Sequence, residues 1–403
     1  MRILFLADNF PPERNAQASR VYERACYWVR WGHEVTVVTC APNFPEGKLF
    51  AGYENRWRQV EMMDGIRVVR VKTFIAANKG AALRTLDFVS YFFTALFFGA
   101  MERRPDVVVA TSPQFFAGIG GVLLGWMQRA PFVLELSDLW PDSIVAVGAM
   151  KKSFAIRVLE KMELWMYARA RRVIALTQAF RRNLAGRGVR AEKIDVVING
   201  VDLERYRPEA KDEAVAREFG ITLDRLVVGY IGTHGMAHAL ENVLAAAERM
   251  RGEAVQFLFV GAGAERERLV GVAREKGLDN VVFVPAQGKD RIAKFWALSD
   301  VALVHLKDTP TFETVIPSKI FEAMGMGLPV MLVSPAGEAK EIVEREGCGV
   351  WVAAERPEEL AGAVRRWIAF PGERALAAAP LYTRERQARE YLESLNRVVG
   401  RGE

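Results

Sequence analysis

The sequence lacks the features that mark disulfide-rich and membrane-spanning proteins. Its three cysteines, Cys26, Cys40 and Cys348, are odd in number and lack the spacing of metal ligands, so reduced thiols in a cytoplasm are expected rather than a disulfide framework. The longest uncharged apolar run extends from Phe88 to Met101, which is shorter than the roughly 20 residues that a membrane-spanning helix needs. We therefore predict neither disulfides nor a membrane span.

The amino terminus does not resemble a signal peptide. The apolar run that begins at Ile3 meets Asp8 after five residues. This pattern predicts a buried strand rather than the apolar region of a secretory signal. The protein is therefore expected to stay in the cytoplasm where it is made.

Metal-binding and nucleic-acid-binding motifs are also missing. His234 and His238 have i and i+4 spacing, but no third ligand or HExxH pattern accompanies them, so no zinc site is expected. No Asp-x-Asp pair is present to hold a divalent cation on a diphosphate. The net charge is +6, but the basic residues alternate with large aliphatic residues on predicted helices and form no recognition motif, which disfavours a nucleic-acid partner.

Short apolar runs that alternate with amphipathic helical stretches are what the sequence does contain, and they are typical of parallel βαβ units. The predicted strands of the first half are Ile3–Ala7, Glu34–Thr39, Ile66–Val71, Val107–Thr111, Phe132–Leu136, Val173–Leu176 and Val196–Ile198, and those of the second half are Leu226–Ile231, Val255–Val260, Val281–Val284, Val301–His305, Pro329–Val333 and Gly349–Val352. Each set suffices for a doubly wound sheet. We predict an α/β fold with two Rossmann-like domains, residues 1–203 and 204–379, and a terminal helix within residues 380–403.

A Pro-Ser-Lys sequence before a short helix is the strongest candidate for an anion site. Pro317, Ser318 and Lys319 precede a predicted helix that carries Glu322 and ends in glycines. Backbone N–H groups and the helix dipole would face an anion there, with Ser318 as a candidate cap and Lys319 as an added charge. Glu322 could accept hydrogen bonds from a ribose diol. Phosphate and ribose together describe a nucleotide, although a capped helix with an exposed lysine would give the same pattern.

Glycine-bearing loops follow the strands of the second half. Gly232 and Gly235 end the first of these strands and allow close approach of the backbone to a ligand, with N–H groups directed at it. The segment Gly261–Gly263 follows the next strand and is interpreted as mainly structural. The loop around Gln287 follows the third strand and is a weak candidate for contacts to a base. We expect the loop with Gly232 and Gly235 to face the Pro-Ser-Lys helix across one pocket.

Two polar positions follow strands of the first half. Arg20 ends the loop Asp8–Arg20 that leaves the carboxyl end of the first strand, and its planar fork can reach a phosphate or carboxylate. Asp138 is released at the end of a later strand, where a sheet holds functional groups rigidly. Each has a simpler alternative. Arg20 could be a surface arginine in an ordinary loop, and the Asp138 side chain could cap the turn that follows it.

Two basic and apolar segments distinguish the first half. Phe88–Met101 is apolar around the whole helix, and Lys151–Arg172 places large apolar residues at helical spacing among cations. Such segments can lie in a membrane interface with the cations near anionic headgroups. Core packing produces the same periodicity. Two such segments in one domain favour contact with an anionic membrane surface.

These pieces together resemble retaining GT-B glycosyltransferases of glycosyltransferase family 4, which build bacterial cell-surface polysaccharides. The resemblance rests on Gly32-His33-Glu34-Val35, Asp138-Leu139-Trp140-Pro141, Asn199-Gly200-Val201-Asp202, Gly232-Thr233-His234-Gly235 and Pro317-Ser318-Lys319 with Glu322. It runs along essentially the whole chain and is greatest to the N-acetyl-L-fucosaminyltransferase branch. It implies two Rossmann-like domains facing each other across a cleft, the first binding the acceptor and the second the nucleotide-sugar. It also implies that the terminal helix returns to the first domain.

The resemblance also implies roles for individual residues. Gly232 and Thr233 would lie near the donor diphosphate, Ser318 and Lys319 would contact it, Glu322 would hold the ribose, and Gln287 would face the base. Family members often carry two glutamates separated by seven residues, but here Thr314 occupies the first position and Glu313 lies one residue earlier. Glu313 is therefore the candidate for contact with the transferred sugar.

The implied reaction moves a sugar, such as an N-acetylated deoxy sugar, from a UDP-linked donor with retention and without a metal. Lys319 and Arg20 would stabilise the leaving diphosphate, and Asp138 would orient or deprotonate the acceptor. Domain closure would bring Arg20 and Asp138 to the donor. The implied acceptor is a saccharide or a polyprenyl-diphosphate-linked saccharide of O-antigen-like assembly, at the inner face of the plasma membrane. A nucleotide-sugar 2-epimerase and a non-catalytic, membrane-docked nucleotide-binding scaffold are the alternatives.

Overall fold

The structure is a computed structural model that describes residues 1–13, 15–44, 46–75, 81–112, 114–139, 154–367 and 372–400. The chain divides into two compact units. The first contains Met1–Ile198 together with the C-terminal segment from Arg384, and the second contains Asn199–Thr383. The predicted boundary between residues 203 and 204 lies a few residues after this division. The predicted site segment beyond Leu139, with Trp140 and Pro141, and the start of the basic segment at Lys151 lie outside the described residues.

The described part of the first unit forms one sheet with helices on both faces. Its strands are β1 (Arg2–Leu6), β2 (Glu34–Cys40), β3 (Arg58–Met63), β4 (Ile66–Val71), β5 (Val107–Thr111), β6 (Phe132–Leu136), β7 (Arg172–Ala175) and β8 (Ile194–Val196). Its helices are α1 (Ala16–Arg30), α2 (Ala81–Ala100), α3 (Phe115–Met127), α4 (Phe154–Arg169), α5 (Gln178–Gly186) and, in the C-terminal segment, α14 (Arg384–Val399). The strand order is β3-β4-β2-β1-β5-β6-β7-β8.

The period-two alternation of the strands separates two cores in this unit. Leu4 and Leu6 of β1 point to the layer that contains α2, α3, α4 and α5. Ile3 and Phe5 point to the opposite face, which α1 and α14 cover. Both faces of the sheet are thus buried, as expected for parallel strands that read as continuous apolar runs.

Helix α14 packs on α1 within the first unit. The indole Nε1 of Trp28 donates to the Ala388 carbonyl at 2.9 Å, and the rings of Trp28 and Tyr391 lie 5.3 Å apart. Arg384 at the start of α14 forms an ion pair with Glu23 of α1 at 3.0 Å. The predicted terminal helix is therefore an integral part of the first unit.

The edge strand β3 is not among the predicted strands. It pairs antiparallel with β4, with Met63 opposite Ile66, and Asp64 and Gly65 between the two strands both have positive φ angles, 48° and 80°. An Asp-Gly turn of this kind is a strong hairpin signal. The strand itself has no continuous apolar run, because its residues are alternately exposed and half-buried.

Helix α3 lies close to the sheet because glycines occupy its inner face. A Cβ atom added at Gly121 would lie 2.3 Å from the Phe132 ring of β6, and one at Gly118 would lie 2.8 Å from the Met166 sulfur of α4. No ordinary side chain fits such distances without movement of its neighbours. The glycines therefore set the distance of α3 from the sheet.

We expect Gly121→Ala to destabilise the protein by about 1–3 kcal/mol, because the added methyl group overpacks a closed core. Gly271→Ala is the matched control, since a Cβ at this helical glycine meets no atom within 4 Å and alanine is the better helix former by about 0.8–1.0 kcal/mol. Urea unfolding of both variants measures the two changes. Equal midpoints for both variants would contradict this account of the packing of α3.

The described part of the second unit is a separate parallel sheet. Its strands are β9 (Leu226–Ile231), β10 (Val255–Val260), β11 (Val281–Val284), β12 (Val301–His305), β13 (Val330–Ser334) and β14 (Gly349–Ala353). Its helices are α6 (Glu213–Phe219), α7 (Glu241–Arg249), α8 (Arg266–Glu275), α9 (Lys289–Leu298), α10 (Lys319–Gly325), α11 (Glu338–Arg345), α12 (Pro357–Arg365) and α13 (Gly372–Ala378). The order β11-β10-β9-β12-β13-β14 is doubly wound about β9 and β12.

The predicted fold class, two Rossmann-like α/β domains, is confirmed. The predicted strands differ from the observed ones at their ends, and the largest shift is at β8, which spans Ile194–Val196 instead of Val196–Ile198. Among the described residues, no helix has the length and apolar character needed to cross a membrane.

Candidate functional site

The candidate site of the second unit is built at the carboxyl ends of its strands. Gly232 follows β9, Gln287 follows β11, and Glu313 lies in a short 3-10 helix, Pro310–Thr314, after β12. Parallel strands place their carboxyl ends at one edge of the sheet, which is where open α/β sheets bind ligands. Helix α10 begins with Lys319 after the same 3-10 helix.

Lys319 and Gly232 are brought together within this unit. A Cβ atom added at Gly232 would lie 2.4 Å from Cε and 2.7 Å from Nζ of Lys319, and the φ angle of Gly232 is +142°. Only glycine adopts this backbone conformation without strain and avoids a clash with the lysine side chain. The glycine loop and the Pro-Ser-Lys segment therefore meet at the lysine side chain.

The Lys319 ammonium lies on an aromatic face. Its Nζ is 3.8 Å from the centroid of the Tyr230 ring, which attracts a cation through its quadrupole. Among the residues that the structure describes, no carboxylate forms an ion pair with Lys319. Burial lowers the pKa of Lys319 to about 7, and the charge of Glu322 opposes this shift only in part. The ammonium is thus held without a full counter-charge.

Three histidines around this lysine are neutral at neutral pH. Burial, together with nearby cations that include Lys319, lowers the pKa of His234 and of His238 to about 4, and burial likewise lowers the pKa of His305 to about 4. The Nδ1 of His238 lies 3.2 Å from the His305 carbonyl oxygen. These rings add no positive charge, so the cations near them are Lys319 and, beside His234, Arg266.

A second pair of glycines holds the loop that follows β9. A Cβ at Gly261 would lie 1.9 Å from the Gly232 carbonyl oxygen, and one at Gly263 would lie 2.3 Å from that of His234. The backbone N–H of His234 donates to the Ala262 carbonyl at 2.9 Å. The Gly261–Gly263 segment thus has the structural role that its sequence suggested, which is to let two loops pack backbone against backbone.

Glu322 lies one helical turn beyond Lys319 and is half-buried. The indole Nε1 of Trp296, a buried residue of α9, donates to Glu322 Oε2 at 3.3 Å. This hydrogen bond orients the carboxylate. Trp296 and Tyr230 were not predicted as site residues, because apolar runs and helical stripes containing aromatic residues look like core in the sequence.

The expected side-chain cap by Ser318 is wrong. Ser318 precedes α10, but it has helical backbone angles (φ −60°, ψ −23°) and its side chain makes no capping hydrogen bond. An N-cap residue normally needs extended backbone angles to place its oxygen over the first turn. The Ser318 hydroxyl therefore does not cap the first turn of α10.

The remaining donor-site candidates lie on loops at the same edge of the sheet. Thr233 is exposed, and its carbonyl accepts a hydrogen bond from the Tyr230 hydroxyl at 2.7 Å. The Gln287 amide donates to the Pro285 carbonyl within its own loop at 3.1 Å. Glu313 is exposed, and its backbone packs on Gly337, where an added Cβ would lie 2.0 Å from the Glu313 carbonyl oxygen.

In the first unit, Arg20 takes part in a buried ion pair instead of presenting an exposed fork. Its Nε donates to Glu135 Oε1 at 2.9 Å, and its Nη2 donates to the Ser137 hydroxyl. Arg24 donates to the other oxygen of Glu135. Burial alone would raise the pKa of Glu135, but the two guanidinium groups lower it below its ordinary value. The surface-loop alternative for Arg20 is wrong, since the side chain is buried.

Asp138 follows β6 by two residues and is half-buried. Its backbone carbonyl accepts a hydrogen bond from the Ser112 hydroxyl at 3.5 Å. Because Arg20 contacts both Glu135 and Ser137, it fixes the backbone that leads into Asp138. Arg20 and Asp138 therefore share one structural support at the carboxyl end of β6.

Among the described residues, no group of three or more histidine, cysteine, aspartate or glutamate side chains could hold a metal ion.

Comparison with known proteins defines the class to which these features belong. Residues 15–200 match the family of glycosyl transferase 4-like domains, and residues 225–369 match the glycosyl transferases group 1 family. The two matches fall on the two structural units. The chain belongs to the glycosyltransferases of GT-B fold, which transfer a sugar from a nucleotide-sugar.

Relatives span nearly the whole chain. WcaI from Escherichia coli K12, named as a glycosyl transferase of colanic acid biosynthesis, is 25% identical over 386 residues, 94% of this chain and 94% of that protein. A GDP-mannose-dependent alpha-mannosyltransferase from Mycobacterium tuberculosis is 26% identical over 385 residues, 94% of this chain and 91% of that protein. These matches are to transferases, which favours glycosyl transfer over the epimerase and scaffold alternatives.

Solved structures share the fold. Sucrose-phosphate synthase from Thermosynechococcus elongatus superposes with a TM-score of 0.76 at 18% identity and covers 99% of both chains. Anabaena HepE in complex with UDP superposes with a TM-score of 0.71 at 20% identity, over 98% of this chain and 100% of that one. At such identities the likeness shows the GT-B fold alone.

Proposed function

We propose that this chain transfers a sugar from a UDP-linked donor, with retention and without a metal ion, to a saccharide in bacterial cell-surface polysaccharide assembly. The observation that carries the proposal is the Lys319 ammonium held against Gly232 and Tyr230 without an ion-pair partner among the described residues. An ammonium in this state gains more from an anionic ligand than one that is already paired. A donor diphosphate supplies that anion.

The remaining donor contacts follow from the positions of the neighbouring groups. Thr233 and Ser318 lie in the segments that flank the lysine and offer hydroxyl and N–H donors to the phosphates. Glu322, oriented by the Trp296 indole, would accept hydrogen bonds from the ribose diol. Gln287, on the loop after β11, would face the base, and Glu313 would contact the transferred sugar. The Anabaena protein whose structure contains UDP supports the choice of base, and GDP is the competing choice from the mannosyltransferase.

Stabilisation of the departing diphosphate is the catalytic contribution we assign to Lys319. Charge grows on the diphosphate as its bond to the sugar breaks, and a preorganised cation stabilises this charge more than it stabilises the ground state. In a retaining transfer, the acceptor hydroxyl attacks from the face that the diphosphate leaves, and the diphosphate oxygen takes the hydroxyl proton. Asp138 would orient the acceptor, and Arg20 would act by holding the Asp138 backbone rather than by contacting phosphate.

The acceptor we propose is linked to a lipid diphosphate, and the layer of helices α2, α3 and α4 supports this choice. Phe93 and Phe97 of α2 are each 63% exposed, and Phe154 of α4 is 75% exposed. Large aromatic side chains at such exposure are costly in water and suited to a membrane interface. We place the protein at the inner face of the plasma membrane, with this helical layer on an anionic surface.

Donor use should fall as the pH rises through about 7. Below this pH, Lys319 carries its charge and attracts the diphosphate, whereas above it the amine loses its proton and the attraction is lost. We therefore expect kcat/KM for the nucleotide-sugar to decrease by about tenfold per pH unit above the pKa. The profile is measured with a donor whose diphosphate does not titrate in this range. The same profile in Lys319→Met would contradict the assignment.

A donor screen tests the proposal as a whole. UDP-, GDP- and ADP-linked sugars are offered without metal to the full chain, with a lipid-diphosphate saccharide in detergent as the acceptor. The expected result is transfer from UDP-sugars, loss of transfer in Glu322→Ala, and a product whose anomeric configuration by NMR equals that of the donor. Turnover only with water-soluble acceptors would refute the lipid-linked acceptor, and an inverted product would refute retention.

A further inference from the structure

A groove between α3 and α4 combines exposed aromatic residues with unpaired arginines. It encloses about 770 Å³, and Trp126, Met127 and Trp165 line it together with Arg129, Arg169 and Arg171. Trp126 is 80% exposed and Met127 is 51% exposed. None of the residues that line this groove is acidic.

The three arginines of the groove are exposed, and none of them forms an ion pair with another residue that the structure describes. Arg169 lies over the ring of Trp165, with its guanidinium carbon 6.0 Å from the centroid. Other surface arginines do have carboxylate partners, such as Arg365 with Glu253 at 2.7 Å. The groove therefore concentrates positive charge that the protein itself leaves uncompensated.

A second cavity of about 590 Å³ adjoins the groove, because Arg129 and Arg171 line both of them. Arg2 and Arg104 add to its charge, and Asp106 is the carboxylate in its lining. Asp106 accepts a hydrogen bond from the backbone N–H of Arg2 at 2.8 Å. Its single negative charge is thus outnumbered by the guanidinium groups around it.

Close helix packing and hydrogen bonds between helix ends hold this groove in place. The glycines on the inner face of α3 hold that helix against β6 and leave Trp126 at its outer end. The Gln128 amide, which follows α3, donates to the Ala100 carbonyl at the end of α2 at 2.9 Å, and Arg104 donates to the Arg129 carbonyl at 3.2 Å. The ends of neighbouring helices are thereby tied together around the arginines.

The groove lies at the opposite edge of the sheet from Asp138. Pro131, which lines the groove, directly precedes β6, and Arg171 directly precedes β7, whereas Asp138 follows the carboxyl end of β6. A strand of this length spans about 17 Å. The groove is therefore separate from the candidate acceptor residues of the same unit.

We propose that this groove binds the phosphate headgroup of an anionic phospholipid while Trp126 and Met127 enter the membrane interface beside it. Guanidinium groups match phosphate oxygens in fork geometry, and tryptophan favours the boundary between headgroups and acyl chains. The site deepens the membrane contact of the proposed function and rests on it. It adds a residue-specific headgroup contact on α3 that the apolar helix faces do not provide.

Vesicle co-sedimentation of the full chain tests the proposal, with phosphatidylcholine vesicles prepared with and without phosphatidylglycerol. The triple variant Arg129→Gln, Arg169→Gln, Arg171→Gln should bind the anionic vesicles about a hundredfold more weakly, because each basic residue near such a surface contributes about a factor of five. The matched control is Arg217→Gln, Arg274→Gln, Arg366→Gln, which removes the same charge from exposed positions of the second unit. This control should bind like the unmodified chain.

Equal vesicle binding by the two triple variants would overturn the headgroup site. Release from vesicles by inorganic phosphate at constant ionic strength would also overturn it, since free phosphate would then be the ligand, and so would loss of RNA binding in the groove variant with unchanged vesicle binding. UDP binding is measured in parallel by calorimetry and should be unchanged in the groove variant. If no form of the chain binds UDP but the vesicle difference persists, the donor assignment fails and the headgroup site stands.

Discussion

Lys319→Met is expected to lower kcat/KM for the sugar donor by about a hundredfold to a thousandfold, the usual cost of removing one preorganised group from a developing anion. Methionine keeps the unbranched stem that lies beside Gly232 and over the Tyr230 ring. It removes the positive charge of the side chain, which the neutral histidines nearby cannot replace. The loss should therefore appear in donor binding and transfer together, measured by initial rates over a range of donor concentrations.

Stability gives this prediction a second readout. The ammonium of Lys319 is desolvated and lacks an ion-pair partner in the described chain, so its removal should not lower the melting temperature. Lys72→Met is the matched control, because Lys72 also lies over an aromatic ring, that of Trp57 at 4.8 Å, but in the first unit. This control should retain full activity. Full activity in Lys319→Met, or equal losses in both variants, would contradict the role assigned to Lys319.

Glu135→Gln is expected to have the largest effect on stability. The Glu135 carboxylate lies between Arg20 and Arg24 in the core of the first unit, and its side chain is fully buried. Removing the negative charge would leave two guanidinium groups buried without compensation, which typically costs about 3–5 kcal/mol. For a domain of this size, such a loss lowers the melting temperature by roughly 6–20 °C.

The same change should also reach the C-terminal helix, because the Arg24 guanidinium lies 3.9 Å from the centroid of the Tyr391 ring in α14. Differential scanning calorimetry of the full chain measures the expected loss. Glu253→Gln is the control, since it breaks an ion pair with Arg365 in which both side chains are substantially exposed, and such pairs contribute little. An unchanged melting temperature in Glu135→Gln would show that the buried network does not hold the first unit together.

The sequence predicts most of this fold because buried parallel strands read as continuous apolar runs. The segment Val301–His305 is one such run, and the structure reproduces its bounds. Strand β3 is different, since it lies at the edge of the sheet and its residues are alternately exposed and half-buried. It therefore has no continuous apolar run that would predict a strand. The Asp64-Gly65 turn was the available signal for it.

The candidate site was predictable to the extent that its residues lie in local motifs. Lys319 and Glu322 share one short segment, and Gly232 follows a clear strand, so their types and spacing indicated an anion site. The partners of these residues were not predictable in the same way. Trp296 looks like a core residue on α9, and only the fold shows that its indole reaches Glu322.

Arg20 shows why pairing across the chain escapes sequence reasoning. Its partner Glu135 is 115 positions away and stands within a strand that is otherwise apolar. Nothing local indicates that the two side chains meet, or that Arg24 shares the same carboxylate. In the structure Arg20 is buried against Glu135 and Ser137, and we propose that it positions the segment that carries Asp138.

Calorimetric titration of the full chain with UDP, without metal and below pH 7, is the direct test of a diphosphate site at Lys319. We expect saturable binding that Lys319→Met weakens by at least about tenfold, since a charge-assisted contact contributes roughly 1.5–3 kcal/mol. Lys72→Met should bind UDP as the unmodified chain does. Absence of UDP binding, or equal affinities for the unmodified chain and Lys319→Met, would contradict the assignment of a diphosphate site to Gly232 and Lys319.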